Sequence, residues 1–349
     1  MLLKDPSFRV PAYEAAKGRR TFVNPLMRVM GNPWITYDPV NGCYYANRDI
    51  LPQDGCGIYV NRSRSLPDIE KDRRMVFRPN EDVGLYRMVW ASELHRIGEK
   101  WYIYGGASCH PTLDWQEGMI RTFVLESRTG DPFDGFDFAG LITGDDEAID
   151  ATVFQCRNGK NYLCFSRCLE QDRGKLMIQE MESPVKLKGE PVCICRASYP
   201  RETVAPYDGD QRIAEGAVFL THGERTFCIY TVNGCDDDAY CLWVMELMGD
   251  DPMNQSAWVK DDEPWLVSGY DLSAPGHPSV FSSPDGKEMY LAYHAREPEY
   301  RTDREGPHAG YRKAHCFIKK IYFDETGFPH AGEAARWGFP VPVPSGDPG

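Results

Sequence analysis

Long apolar runs, an excess of basic residues and paired metal-binding cysteines are all missing from this sequence of 349 residues. No apolar stretch reaches the 18 or so residues expected of a membrane-spanning helix. Acidic residues outnumber basic ones by 52 to 39, which leaves a formal net charge of -13. This charge argues against nucleic acid or an anionic membrane as a partner, because both attract basic surfaces. An uncharged substrate is compatible with it.

The N-terminus lacks the charged segment and apolar core of a secretory signal peptide, so we predict a cytoplasmic protein. The 12 cysteines are scattered, and no CxxC pair faces a second pair or an HxxxH, which argues against a zinc site. Several lie in strand-like runs, such as Cys164 in YLCFS and Cys228 in TFCIY. We expect them to be reduced core residues, in agreement with a cytoplasmic location.

Helical periodicity is almost absent from the sequence. One sequence pattern occurs five times: an apolar stretch, a turn with glycine, then an aromatic-rich stretch. The turn glycines are Gly42, Gly98, Gly159, Gly223 and Gly286, at separations of 56, 61, 64 and 63 residues. Each unit has a second pair of apolar runs, which makes four short strands. This pattern predicts an all-β protein, a five-bladed β-propeller. The alternative is a β-sandwich with coincidental spacing.

The predicted domains are an N-terminal extension at 1–20, a propeller catalytic domain at 21–335 and a Pro/Gly-rich tail at 336–349. The segment RRTFVNPL (19–26) is a candidate outer strand for the last blade, which would close the ring.

Polar and aromatic residues stand eight to ten places before each turn glycine, where the first strand of each blade begins. Since these strands line the central channel of a propeller, their starts surround one mouth of it. A convergent set of acids indicates a site, because burying unpartnered acids is costly. The alternative is that they cap strands or bind a central water. The set comprises Asn32, Trp90, Asp150, Glu215 and His277, with Glu93 slightly further along.

Five segments in this order resemble glycoside hydrolase family 43, a family of five-bladed propellers that includes arabinofuranosidases and xylosidases. They are WASELHRIGEKWYIYGGAS (90–108), RTFVLESRTGDPF (121–133), AIDATVFQCRNGKNYLCFS (148–166), IAEGAVFLTHGERTFCIYT (213–231) and APGHPSVFSSPDGKEMYLAYHA (274–295). The resemblance implies an inverting glycosidase acting on an oligosaccharide, with a glutamate acid, an aspartate base and a second aspartate that tunes the acid. Inverting enzymes hold acid and base about 6.5–9.5 Å apart, with water between.

The resemblance assigns roles to individual residues. Glu215 in AEGA matches the general acid, and Asp150 in AIDAT matches the tuning aspartate. His277 in PGHPS matches an axial histidine near a central calcium ion or water. It is therefore the candidate metal ligand, for a possible structural Ca2+ in the central channel. The resemblance implies no required cofactor. The candidate substrate-binding residues are Trp34, Trp90, Glu93, Arg121, His277 and Arg312.

Trp34 follows Asn32 by two residues, so both face the same side of a strand. Its indole either stacks on a sugar ring or packs within the blade.

The base position reads G-N-P-W, so Asn32 stands where the family has aspartate. An amide cannot take a proton from water at neutral pH, and losing a general base costs about 10²–10⁴-fold in rate. Three explanations remain open: an engineered substitution, a natural enzyme that uses another group or reaction, or a sugar-binding protein without activity. Departures nearby, such as EGA where relatives often have EGP, favour a natural variant.

The leading hypothesis is an exo-acting α-L-arabinofuranosidase on oligosaccharides from plant polysaccharides, followed by a β-D-xylosidase. A non-catalytic sugar-binding propeller is the second hypothesis. A protein-interaction propeller is disfavoured because W-D and kelch signatures are absent, and a fructosidase-like enzyme because its R-D-P and E-C pairs do not occur.

Overall fold

The computed structural model describes residues 2–11, 18–51, 55–86, 88–111, 119–167, 174–204, 212–269, 271–297 and 314–349. Within these ranges the regular structure is almost entirely β, in five four-stranded antiparallel sheets and one two-stranded sheet. The prediction of a five-bladed, all-β propeller is thereby confirmed.

In chain order, the strands of the first part are β1 (Thr21–Val23), β2 (Trp34–Asp38), β3 (Cys43–Leu51), β4 (Gly55–Ser63), β5 (Arg73–Phe77), β6 (Val89–Ile97), β7 (Lys100–Ser108), β8 (Ile120–Ser127), β9 (Phe136–Leu141), β10 (Ala148–Gln155) and β11 (Asn161–Arg167). They continue with β12 (Lys175–Ser183), β13 (Lys186–Arg196), β14 (Ala214–His222), β15 (Arg225–Val232), β16 (Cys241–Leu247), β17 (Trp258–Lys260), β18 (Ser273–Ser282), β19 (Met289–Arg296), β20 (His315–Phe323), β21 (Pro329–His330) and β22 (Pro340–Pro342). Short 3-10 helices lie at Leu66–Asp68, Glu81–Val83, Pro132–Asp134, Pro200–Glu202 and Gln255–Ala257.

Each blade is a meander of four consecutive strands: β2–β5, β6–β9, β10–β13, β14–β17 and β18–β21. The first and second strands of every blade are joined by a tight turn that contains one of the predicted glycines. These glycines have left-handed backbones, which residues without a Cβ adopt readily. Their φ values are 63° at Gly42, 64° at Gly98, 81° at Gly159, 58° at Gly223 and 70° at Gly286.

Strand β1 does not extend the last blade as predicted. It pairs instead with β22 near the C-terminus, in the separate two-stranded sheet. The outer strand of the last blade is β21, which pairs with β20 only at Tyr322 and Phe323. The rest of the β20 edge therefore remains available to another segment.

Residues just after β1 occupy that edge and close the ring. Leu26 donates its backbone N–H to the Cys316 carbonyl at 2.8 Å, and the Cys316 N–H donates to the Met27 carbonyl at 2.9 Å. The Asn24 side chain exchanges two further hydrogen bonds with the Ile318 backbone, at 2.8 and 3.0 Å. The predicted closure thus exists, but residues 24–27 make it through the inner part of β20.

Neighbouring blades pack through buried aromatic side chains. The rings of Tyr45 and Trp101 join the first two blades with centroids 5.1 Å apart, and Phe154 stacks on Phe219 between the third and fourth at 4.4 Å. The cysteines whose side chains the structure describes are free thiols, and most are buried, as predicted. Over the same ranges, no helix is long and apolar enough to cross a membrane.

Candidate active site

A residue with a left-handed backbone stands near the start of each inner strand, two residues before β2 and within the first five residues of the other four strands. In β6, β10, β14 and β18 it coincides with a break in the strand register, the sign of a β-bulge. Left-handed non-glycine residues are uncommon and concentrate at functional sites. The φ values are 45° at Asn32, 48° at Ala91, 56° at Asp150, 51° at Gly216 and 50° at His277.

Asp150 and Glu215 do not occupy equivalent positions, although the sequence pattern predicts that they do. Glu215 and Ile149 are each the last regularly paired residue before the register break, so the counterpart of Asp150 is Gly216. A shift of one residue reverses the face of a side chain in a regular strand, but a bulge re-aims it. Glu215 therefore reaches the axis from one position earlier than Asp150 does.

The structure nevertheless brings three of the predicted residues together. Ligand-type atoms of Asp150, Glu215 and His277 all lie within 4.8 Å of one another. Asp150 and His277 are buried, and the Asp150 Oδ2 accepts the Gly216 N–H at 3.2 Å. A Cβ on Gly216 would lie 2.9 Å from His277 Nδ1, so this approach requires glycine.

Glu215 is held as an acid that gives up its proton near neutral pH. Burial raises the pKa of its carboxyl group, a hydrogen bond from Tyr240 lowers it, and the negative charge of Asp236 raises it, with a net pKa of about 7. A general acid needs such a value, because it must carry its proton at the working pH.

Two uncharged histidines lie beside the acids. Burial lowers the pKa of His277 to about 3 and that of His294 well below its usual value, so both imidazoles are neutral. Their rings stack with centroids 6.2 Å apart. The His277 backbone N–H donates to Thr231 Oγ1 at 2.9 Å, which connects the fifth blade to the fourth. His294 lies opposite Gly276 in the fifth blade and was not among the predicted residues.

Asn32 is tied to this cluster by its backbone. Its N–H donates to His294 Nδ1 at 3.1 Å, so the first blade meets the fifth next to the axial histidines. The residue is half-buried. Its side chain ends in an amide, which has no basic lone pair for general-base catalysis.

Trp34 and Glu93 stand two residues beyond the left-handed positions of their strands. Trp34 is 7% exposed, donates its indole N–H to the Leu94 carbonyl at 2.8 Å and lies 4.6 Å from the His95 ring. These contacts give Trp34 a packing role between the first two blades. Glu93 is buried, with its Oε2 2.8 Å from His95 Nε2. Burial lowers the pKa of His95 to about 3, so the imidazole that shares this hydrogen bond with the Glu93 carboxyl group is neutral.

The remaining predicted substrate-binding residues differ in their burial and in the residues they contact. Trp90 is 7% exposed and packs with Ala91 and Ile120. Arg121 is partly buried, with its Nη1 3.6 Å from the Glu147 Oε1. Arg312 lies outside the described residues. Substrate binding by these side chains stays a prediction.

The acidic segment GCDDDAY (234–240) is buried at both ends, half-buried between them, and lies against the site. The Asn233 side chain holds it by donating to the Ala239 carbonyl at 2.8 Å. It contributes the charge of Asp236 and the hydroxyl of Tyr240 to the surroundings of Glu215. Its one sequence signal is an aromatic residue that ends the acidic run directly before β16.

Among the described residues, the side chains arranged to hold a metal ion are again Asp150, Glu215 and His277. Two carboxyl groups and one imidazole fall short of the six to eight oxygen ligands of Ca2+. The set does not fit a calcium ion held by protein ligands, and we assign none of the chemistry to a metal.

A five-bladed propeller with a protonated glutamate, a second carboxyl group and a neutral histidine at its axial mouth has the architecture of a glycoside hydrolase. The family model for "Glycosyl hydrolases family 43" matches residues 22–329. The chain belongs to glycosyl hydrolases family 43, as the sequence resemblance implied.

The chain is 28% identical over 321 residues to an extracellular exo-α-(1→5)-L-arabinofuranosidase of Streptomyces avermitilis, covering 89% of this chain and 63% of that protein. It is 31% identical over 297 residues to an enzyme of the same name from Streptomyces chartreusis, covering 81% and 85%. The crystal structure of an α-L-arabinofuranosidase from Lactobacillus brevis superposes with a TM-score of 0.80 at 26% identity, covering 91% and 98%. The chain thus spans less than two thirds of the Streptomyces avermitilis relative.

The prediction of a cytoplasmic location is wrong by these comparisons. Both Streptomyces relatives are named as extracellular enzymes. The prediction depended on the first residues and on reduced cysteines, and a propeller core buries thiols wherever the protein is located.

Proposed function

We propose that this chain is an exo-acting α-L-arabinofuranosidase in which Glu215 is the general acid and the products form with inversion. The observation that carries the proposal is the Glu215 carboxyl group, whose pKa is about 7, beside Asp150 and His277 at the mouth of the channel. The names of the relatives support arabinofuranoside as the sugar.

In the proposed reaction, Glu215 gives its proton to the glycosidic oxygen as the bond from that oxygen to the anomeric carbon breaks. A water oxygen attacks the same carbon from the opposite face, and its proton passes to a base or to solvent. Asp150, anchored by the Gly216 N–H, orients the acid from the neighbouring strand. The neutral His277 adds a hydrogen-bonding group without a competing charge.

Asn32 leaves the proposed reaction without its water-activating carboxylate. Restoring aspartate at this position should raise the hydrolysis rate by about 10²–10⁴-fold, the usual contribution of a general base. The same observation favours a second function, in which the natural chain binds the sugar without turning it over. A β-D-xyloside is the competing substrate, since xylosidases share this propeller.

The test compares wild type and Asn32→Asp on two α-L-arabinofuranosides, one with a nitrophenyl leaving group and one an α-1,5-linked oligosaccharide. The matching β-D-xylosides serve as the competing pair. We expect Asn32→Asp to gain activity on both arabinosides, with the β-anomer of arabinose as the first product by proton NMR.

The control is Glu215→Gln in the Asn32→Asp background. Because a nitrophenolate leaves without a proton, this change should slow the oligosaccharide far more than the nitrophenyl glycoside. Saturable arabinoside binding by calorimetry without turnover in either protein would establish the binding function instead. Turnover of xylosides alone would reject the proposed sugar.

A further inference from the structure

Tyr240 makes a side-chain hydrogen bond to the proposed acid, and no sequence motif points to it. Its hydroxyl donates to Glu215 Oε1 at 2.7 Å. The side chain is 1% exposed, so water does not compete for this bond. Burial first, and then the charge of Glu215, raise the pKa of Tyr240 well above its usual value, so the phenol keeps its proton and acts as a donor.

The ring of Tyr240 is fixed from two sides. On one side it stacks nearly parallel on His294, with centroids 5.5 Å apart and 7° between the planes. On the other it occupies the space that a side chain at position 276 would need, since a Cβ on Gly276 would lie 1.9 Å from Tyr240 Cε1. Gly276 and His294 pair across β18 and β19. The fifth blade therefore forms a slot for a tyrosine that the fourth blade supplies.

The segment that carries Tyr240 is held as well. Besides the bond from Asn233, the Ser268 hydroxyl donates to the Asp238 carbonyl at 2.9 Å. The hydroxyl of Tyr240 is thus placed by both blades rather than by its own rotamer alone. A group held in this way resists displacement when a substrate enters.

We infer that Tyr240 is a positioning residue for the general acid: by donating to Glu215 Oε1, it directs the acidic proton to Oε2, where the leaving oxygen of the sugar receives it. The inference rests on the proposed function. Because the bond stabilises the ionised carboxylate, it also opposes the effects of burial and of Asp236, and keeps the acid able to release its proton.

The histidine on which Tyr240 stacks also contacts the residue at the base position. His294, on which its ring stacks, accepts the Asn32 N–H at 3.1 Å through Nδ1. The acid oxygen and the backbone of residue 32 are therefore fixed against the same imidazole. This arrangement holds the acid and the water-activating position against one shared support, and inversion requires the two groups to be about 6.5–9.5 Å apart.

The experiment is Tyr240→Phe in the Asn32→Asp background, with pH profiles of kcat/KM on the oligosaccharide. Loss of the hydrogen bond should move the alkaline limb upward by about one pH unit, because ionised Glu215 loses its donor. The lost orientation should lower kcat by about tenfold with little change in KM. Hydrolysis of the nitrophenyl glycoside should be slowed less than hydrolysis of the oligosaccharide, because its leaving group does not need the proton.

The matched control is Tyr230→Phe, which removes another buried tyrosine of the same blade whose hydroxyl donates to a glutamate, Glu202, at 2.8 Å. It should leave the profile unchanged. An unshifted alkaline limb in a folded Tyr240→Phe protein would overturn the inference, as would an equal shift in both variants.

A readout without turnover separates this inference from the proposed function. With carboxyl-13C glutamate, the signal absent from Glu215→Gln reports the titration of Glu215 by NMR. We expect its midpoint to rise by about one pH unit in Tyr240→Phe. If Asn32→Asp is inactive but this midpoint rises, hydrolysis fails as the function and the contact of Tyr240 stands. If the midpoint does not move, the inference fails whatever the activity.

Discussion

Replacing Glu215 with Gln should change how the stability of the protein depends on pH. The folded protein holds a proton on Glu215 up to a pKa of about 7, against an ordinary value of 4.5. Between these values the folded state binds more protons than the unfolded state, so the free energy of unfolding falls as pH rises through this window. Glutamine preserves the size of the side chain and an acceptor for Tyr240, but it cannot titrate.

The size of the effect follows from the two pKa values. A shift from 4.5 to about 7 corresponds to at most about 3 kcal/mol between the ends of the window. Glu215 is half-buried, so solvent reduces this value, and we expect about 1–2 kcal/mol. The variant should gain this much stability over wild type on going from pH 4.5 to pH 8.

Urea unfolding of both proteins at several pH values measures this difference. Glu288→Gln is a control of opposite sign: burial opposes ionisation there, but hydrogen bonds from Arg19 and Tyr290 hold the pKa of Glu288 below its usual value. In the wild-type protein, ionised Glu288 adds to the free energy of unfolding above its ordinary pKa, and this stabilisation is lost as pH falls. A constant stability difference between Glu215→Gln and wild type across pH 4.5–8 would refute a raised pKa at Glu215.

Two further substitutions test the framework around the site. Trp34→Ala should lower the free energy of unfolding by about 3–5 kcal/mol, because it empties a buried position between two blades; a loss below about 1 kcal/mol in urea unfolding would contradict the packing role. Lys260→Met should lower the free energy of unfolding by roughly 3 kcal/mol, because the fully buried carboxyl group of Glu202 would lose the cation that lies 2.9 Å from it. Thermal unfolding should show a lower Tm for Lys260→Met, and an unchanged Tm would show that the pair is neutral.

The blade pattern follows from the sequence because its cause is local. A turn that needs a left-handed residue selects glycine, and Gly42, Gly98, Gly159, Gly223 and Gly286 all adopt that backbone in the hairpins predicted for them. Alternation and spacing then define four strands in each unit. The closing contact does not follow from local sequence, because it depends on how much of the β20 edge remains uncovered after β21 pairs.

The sequence by itself also singled out three residues that the fold brings together. Asp150, Glu215 and His277 stand eight or nine residues before the turn glycines of three repeats. The propeller brings ligand-type atoms of the three within 4.8 Å of one another. Only the tertiary structure decided how they are arranged, because one residue of bulge separates Glu215 from the position of Asp150, and residue counting does not detect a bulge. It also decided the partners. Tyr240 lies in the fourth blade and stacks on His294 of the fifth, and the bond from Asn32 to His294 exists only once the first blade has met the fifth.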